Sequence, residues 1–217
     1  MYTAIVIGST GLVGKALVQQ LLAHNTFDVV KTFSRRSLQL QHPKLQEHLI
    51  HFDALHEWQH LLTGDVLFIT MGTTIKQAGS QKAQYLIDVT YPFEVAQVAA
   101  AQGVQKMILL TSAGANAQSR MFYLRIKGEL EAKCSQLPFA QIDIIQPGSL
   151  TGPRAEKRLG ERWSIVILHF LNAFGIATAY RPIADVTVAK AMINAALAQH
   201  TGVARFSLKE VFALAGK

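Results

Sequence analysis

Tyr123 and Lys127 stand four residues apart in FYLRIKGELE (122–131), and Ser112 lies 11 residues before Tyr123 in LLTSAGAN (109–116). Those three residue types suit carbonyl reduction. A carbonyl accepting hydride develops negative charge on oxygen, and a tyrosine can hand that oxygen a proton. A phenol needs a neighbouring cation to do so near neutrality. A lysine one helical turn away supplies the cation and can also hydrogen-bond a ribose. A serine hydroxyl can donate to the developing oxyanion, with Thr111 the weaker alternative. Taken alone, however, the segment is an ordinary amphipathic helix. Phe122, Ile126, Leu130 and Cys134 form an apolar stripe, Arg125 and Glu129 an i,i+4 ion pair, and Tyr123 and Lys127 lie at the stripe's edge. Chemical meaning must come from the elements that position the three.

Short apolar, β-branched runs at 4–8, 29–33, 49–52, 66–70, 107–111 and 142–146 alternate with helical patterns at 15–24, 54–62, 80–102 and 120–136, and a weak last strand falls near 203–206. Near-continuous apolar strands separated by helices predict an α/β fold, a doubly wound parallel sheet covered on both faces. Ligands of such sheets sit beyond the carboxyl ends of the strands. Ser112 follows the fifth strand, and Tyr123 opens the next helix, so both fall at that edge. Gly128, a poor helix former directly after Lys127, fits a close approach there by cofactor or by a neighbouring backbone. Pro92 predicts a break or kink in the 80–102 helix, with Thr90 capping a second helix. Asp185 is expected to cap the helix after PIADVTVAK. Past Gly148 the strand–helix rhythm weakens, and 149–180 is expected to be a small C-terminal insertion around a substrate within a single domain, 1–217.

The first strand runs into GSTGLVG. Gly8, Gly11 and Gly14 are three apart and a helix follows at once. Glycines there allow a tight turn, close approach to a pyrophosphate and close helix–strand packing, while the helix N-terminus offers free amides and a positive dipole end. Dinucleotide binding follows. The second strand ends TFSRRS, so Ser34, Arg35 and Arg36 stand where an NAD site carries an acid for the ribose 2′-hydroxyl. Paired guanidiniums suit a 2′-phosphate, and NADP(H) is expected over NAD(H). Asp53, after the third strand, is placed to accept from the adenine amino group.

These residues resemble the short-chain dehydrogenase/reductase superfamily with its Rossmann fold, through GSTGLVG, TSAGAN, YLRIK and PGSL (147–150). DVLFITMGTT (65–74), FYLRIKGELEAK (122–133) and IIQPGSLTGPR (144–154) are similar to the atypical, single-domain branch related to the Tat-interacting-protein oxidoreductases, a likeness spanning roughly residues 3–195. The resemblance implies an NADP(H)-dependent oxidoreductase. It implies that Gly8, Ser9, Thr10, Gly11, Leu12, Val13 and Gly14 line the pyrophosphate, that Ser34, Arg35 and Arg36 hold the 2′-phosphate, and that Asp53 and Ala54 border adenine. It places Met71, Gly72 and Thr73 under the adenine-side ribose and pyrophosphate, makes Tyr123 and Lys127 the catalytic pair beside Ser112, and sets Pro147, Gly148, Ser149 and Leu150 at the nicotinamide edge. Two departures matter. The larger C-terminal region of sugar epimerases is missing, which argues against nucleotide-sugar chemistry. No asparagine occurs in the 80–102 helix, where many relatives use one for a proton relay; Asp88 is near that place. Since some relatives act as sensors, a redox-sensing NADPH-binding protein with little turnover is the alternative.

Composition narrows the rest. Half of the 217 residues are hydrophobic and 16% are charged, enough to fill a large core. One cysteine excludes an internal disulfide, which with the absence of a signal-like N-terminus predicts a cytoplasmic protein. The net charge of +7 is scattered, with its densest cluster RAEKR (154–158), so an anionic small molecule is expected as ligand and nucleic acid is not. Arg154, Arg158 and Arg181 flank the expected substrate insertion. WSIVILHFLNAFGIATAY (163–180) is long enough to span a bilayer, but it carries His169 and Asn172 and is expected to be a buried or cap helix without stable membrane insertion. His56 and His60 have metal-compatible spacing but no clear third ligand, so no metal is expected. Either a monomer or a homodimer is compatible with these features.

Overall fold

The structure, a computed structural model, describes residues 2–151 and 181–216. β1 (Tyr2–Ile7) is followed by α1 (Leu12–Ala23), β2 (Phe27–Ser34) and β3 (Leu45–Leu49). A helical passage containing α2 (Leu55–Trp58) leads to β4 (Val66–Ile69). Then come α3 (Ile75–Ala78), α4 (Gln81–Tyr85), α5 (Tyr91–Ala101) and β5 (Lys106–Leu110). α6 (Phe122–Cys134) precedes β6 (Gln141–Gln146). β7 (Leu150–Thr151), β8 (Ile183–Ala184), α7 (Asp185–Leu197), β9 (Gly202–Ser207) and α8 (Lys209–Leu214) complete the described elements.

Seven strands make one parallel sheet in the order β3-β2-β1-β4-β5-β6-β9. Successive side chains point to opposite faces, and both faces are covered. Ala4, Val6, Val66, Phe68, Ile108, Leu110 and Ile145 pack in one core with residues of α1, α7 and α8. Ile5, Ile7, Leu67, Ile69, Met107, Leu109, Ile142 and Ile144 pack in the other with residues of α5 and α6. This is why the central strands show no polar alternation. Strand order reverses between β1 and β4, and a ligand crevice opens at such a point.

The structure departs from sequence expectation in several places. The third strand is Leu45–Leu49, not 49–52. It is a sheet edge, its LQEHL is only partly buried, and an apolar-run criterion passes over it. Ile50 and Phe52 are buried, but they lie past the strand, Phe52 opening the 3-10 turn Phe52–Ala54. The 54–62 helix is an α-turn flanked by 3-10 turns.

Before Pro92 the α-helix is interrupted, but the chain stays helical through it. Leu86–Thr90 forms a π-turn in which the Tyr91 amide donates to the Leu86 carbonyl. A proline ring in an α-helix clashes with the carbonyl four residues back; the wider turn accommodates it. Thr90 accordingly keeps helical dihedrals and makes no side-chain cap. Asp185 likewise is not a cap: Ala184 occupies that position, and Asp185 is the first residue of α7, accepting from the Val186 amide at 2.8 Å. The expected last strand is present as β9.

Candidate active site and nucleotide-binding crevice

The glycine loop is built by backbone contact. Gly8 has φ +83°, and a Cβ there would lie 2.6 Å from the Met71 nitrogen; one on Gly14 would lie 2.2 Å from the Gly8 oxygen. The Gly11 amide donates to the Gly8 carbonyl at 2.9 Å, while the Thr70 amide and hydroxyl both donate to the Ile7 carbonyl at 3.0 Å. The loop is thereby pinned to the end of β4. Gly11 stands at the N-cap of α1 and offers no side-chain cap, and no acid occupies the first turn. First-turn amides have no intrahelical acceptor, so this end fits a pyrophosphate in both donors and dipole sign. The Ser9 hydroxyl is fully buried with no hydrogen-bond partner among the described residues. Thr10 and Leu12 are partly buried, while the Val13 side chain is in the core, so only its backbone can face a phosphate.

A second corner forms at the ends of β2 and β3. Ser34 is buried, and its hydroxyl donates to the Arg36 carbonyl at 2.7 Å, while Arg35 and Arg36 are exposed. Asp53 and Ala54 lie in the 3-10 turn after β3. The Tyr91 hydroxyl donates to Asp53, and the Tyr91 ring stacks on Phe52 at 5.4 Å. Burial, then the Asp53 bond and charge, push the Tyr91 phenol up to about 12, with Arg35 opposing. Arg35, Asp53 and Tyr91 therefore share one corner. Tyr91 is missing from the sequence reading, because nothing in the chain order links it to Asp53.

At the third corner, Lys127 is almost wholly buried, and its Nζ pairs with Asp88 Oδ2 at 3.0 Å. Asp88 Oδ1 accepts the Thr73 amide at 2.7 Å. Gly72 leaves room for the ammonium: a Cβ there would lie 3.4 Å from Nζ. The same Nζ is 5.9 Å from the Tyr123 ring centroid. Burial works against the ammonium, but Asp88 and then Tyr123 outweigh it and hold Lys127 above the ordinary lysine value. The fold thus gathers Tyr123, Lys127, Gly72 and Thr73 around Asp88, and Met71 joins them at the end of β4.

Ser112 follows β5, and among the described residues its hydroxyl makes a long 3.4 Å contact with the Ala113 carbonyl. The Ala113 amide donates to the Pro147 carbonyl at 3.0 Å, which ties the Ser112 loop to the 147–150 segment. Pro147 is buried and Gly148 partly so, the Ser149 carbonyl accepts from the Ile183 amide, and Leu150 pairs with Ile183. Arg181 lies over the Phe212 ring at 5.7 Å. The expected cap beyond Thr151, with Arg154, Arg158 and the apolar 163–180 segment, falls outside the described residues. Within them, no helix is long and apolar enough to cross a membrane, and no group of three or more His, Cys, Asp or Glu could hold a metal.

Glu131 is the other residue missed by the sequence reading. It is buried and accepts from the Thr111 hydroxyl at 2.6 Å and from Gln146 at 2.9 and 3.0 Å. Its signal was present: 123, 127 and 131 are spaced four apart on one helix row. Gly128 answers to backbone. A Cβ there would lie 2.2 Å from the Ala117 nitrogen and 2.3 Å from the Asn116 carbonyl carbon. Gly128→Ala is expected to cost roughly 1–3 kcal/mol of stability, the range for overpacking, as measured by urea melts.

A family model described as NAD(P)H-binding matches residues 8–158. The chain is 34% identical over 200 residues to Protein FMP52-1, mitochondrial, of Scheffersomyces stipitis, covering 89% of this chain and 88% of that one. It is 32% identical over 198 residues to Protein HTATIP2 of Rattus norvegicus, covering 88% and 80%. Similar solved structures include MoeE5 in complex with UDP-glucose and NAD, at TM-score 0.69 and 18% identity over 99% of this chain and 81% of that one. A UDP-N-acetylglucosamine 4-epimerase from Methanobrevibacter ruminantium M1 aligns at TM-score 0.70 and 15% identity, covering 98% and 80%. These structures share the fold. The expected cytoplasmic location is overturned: several fungal relatives carry "mitochondrial" in their names, which points away from it. A single buried cysteine and a reducing-compartment composition cannot tell one reducing compartment from another.

Proposed function

The chain belongs to the NAD(P)H-binding family, alongside the proteins named HTATIP2 and FMP52, and from that premise we propose that it is an NADP(H)-dependent oxidoreductase moving hydride between cofactor and a carbonyl or alcohol. The observation carrying this reading is the buried Lys127 ammonium beside the Tyr123 ring, held by Asp88 next to the Gly72–Thr73 turn. Bound NADPH supplies the hydride. Tyr123 gives its proton to the carbonyl oxygen, the Lys127 charge favours the phenolate left behind, and Ser112 donates a hydrogen bond to the oxygen as charge develops. The chain, 1–217, serves as one nucleotide-binding domain; nearly all of the 149–180 segment expected to meet the substrate lies outside the described residues.

Preference for NADP(H) is supported by the exposed Arg35 and Arg36 after β2, Arg35 standing close enough to the Asp53–Tyr91 pair for its charge to act on the Tyr91 phenol. Arg35→Ala is expected to weaken NADPH binding roughly tenfold, the worth of about one charge-assisted contact, and to leave NADH nearly unchanged. Fluorescence titration of both nucleotides tests this, and NADH binding as tightly as NADPH in the unmodified protein overturns the preference.

The second reading is nucleotide sensing without turnover. It is favoured by the commitment of Lys127 to Asp88, which occupies the ammonium before any ribose arrives. Such sensing would run through nucleotide occupancy, since burial pushes the Cys134 thiol up to about 12 and makes it a poor redox centre. NADPH oxidation against a broad carbonyl panel separates the two readings.

A further inference from the structure

We propose that Glu131 is a positioning residue of the reaction centre, a buried carboxylate that locks the carboxyl ends of β5 and β6 to the helix bearing Tyr123 and Lys127. The proposal rests on the oxidoreductase reading above for its catalytic consequence, though not for its structural one. Thr111 and Gln146, the two residues whose side chains donate to Glu131, directly precede Ser112 and Pro147. The two strand ends are themselves joined by Thr111 N–H to Ile145 O at 2.9 Å and Ala113 N–H to Pro147 O at 3.0 Å. One carboxylate therefore connects three segments: the Ser112 loop, the 147–150 segment and α6.

A carboxylate is a costly choice at this place. Leu130 and Cys134 beside it are fully buried and, with Ile126, belong to the apolar core. Burial pushes the Glu131 carboxyl above its ordinary range, and the Gln146 and Thr111 bonds, with Arg205 and Lys127, pull it only part of the way back. An apolar residue would pack without that penalty. What an apolar residue lacks is two oxygens able to accept from donors on separate strands. Arg205, from β9, lies 3.8 Å from the second oxygen and is half exposed, so it supports the carboxylate from the solvent side. Because Lys127 is one helical turn from Glu131 and Tyr123 two turns away, a shift of the β5 end relative to α6 changes the Ser112–Tyr123 geometry directly. Small misplacements of such groups cost up to about 10²-fold in rate.

The test compares Glu131→Leu, which keeps volume and removes the acceptors, with Glu131→Gln, which can accept from Gln146 and donate to Thr111. In Glu131→Leu, amide hydrogen exchange at Thr111 and Ala113 is expected to quicken by at least about tenfold while Met107 and Ile108 stay protected. NADPH affinity is expected to hold within about twofold and kcat to fall roughly 10- to 100-fold. Glu131→Gln is expected to restore both the protection and most of kcat. Unchanged exchange at Thr111 and Ala113 overturns the proposal. So does failure of Glu131→Gln to rescue, or a parallel loss of NADPH affinity, kcat and global stability. If Glu131→Leu does not fold, Gln146→Met removes one donor and must produce the same local exchange pattern. If the unmodified protein oxidises no NADPH with any carbonyl, the functional reading fails, while the exchange measurements still decide the role of Glu131.

Discussion

Replacing Tyr123 with phenylalanine is expected to lower kcat for carbonyl reduction roughly 10²- to 10⁴-fold, the contribution of a positioned general acid, and to leave NADPH affinity within about twofold of its starting value. The ring is kept, so its packing at the start of α6 and its contact with the Lys127 ammonium survive. Only the hydroxyl, and with it the transferable proton, is lost. A fall in kcat at constant nucleotide affinity identifies an interaction made in the transition state and absent from the ground state. NADPH oxidation under saturating nucleotide, with nucleotide affinity measured separately, checks it. Turnover unaffected by the substitution would remove Tyr123 from the chemistry.

Removing the partner of Lys127 has a different signature. Asp88→Ala strands an ammonium whose side chain is 4% exposed, and it also deprives the Thr73 amide of its acceptor. Breaking a buried pair in this way typically costs about 3–5 kcal/mol. The pH dependence carries a sign. In the unmodified protein the Lys127 pKa is raised above the unfolded value, so its contribution is fully present below the ordinary lysine pKa and is lost only as pH rises through the higher folded value. In Asp88→Ala the carboxylate is gone and burial, already the largest influence on Lys127, pulls the pKa downward. The variant should therefore gain stability as pH rises, where the parent does not. Urea denaturation across a neutral-to-alkaline series measures both slopes. The double variant Asp88→Ala/Lys127→Met recovers much of the loss if the stranded charge is its cause.

Much of this arrangement was legible in the chain, because it depends on short-range signals. A buried strand entering GSTGLVG states its geometry within ten residues, and the central strands declare themselves by unbroken apolar runs. The edge strand β3 did not. LQEHL alternates weakly, and its pairing with β2, Val30 opposite Leu45 to Ser34 opposite Leu49, is a tertiary fact. Asp88 and Glu131 were obscured for a related reason. A carboxylate on a helix is usually solvated, and only the approach of other segments turns these two inward. For Glu131 the segments are the ends of β5 and β6; for Asp88 they are α6 and the Gly72–Thr73 turn. Tyr91 is the extreme case, 38 residues from the aspartate it meets. Gly128 lay between: its cost within a helix was visible, while the backbone that explains it, Asn116–Ala117, was not.

The π-turn at Leu86–Thr90 gives the ion pair a dependence on length as well as on residue type. A turn closed five residues back holds one residue more than an α-helical turn. Deleting a single residue from it would let the turn close as an α-helical turn, leaving the flanking helices in phase while changing which residue of Leu86–Thr90 faces Lys127. The carboxylate that meets the ammonium is thus selected partly by a count of residues. Among relatives, an insertion or deletion of one residue in this stretch would move the Lys127 partner as effectively as a substitution at Asp88.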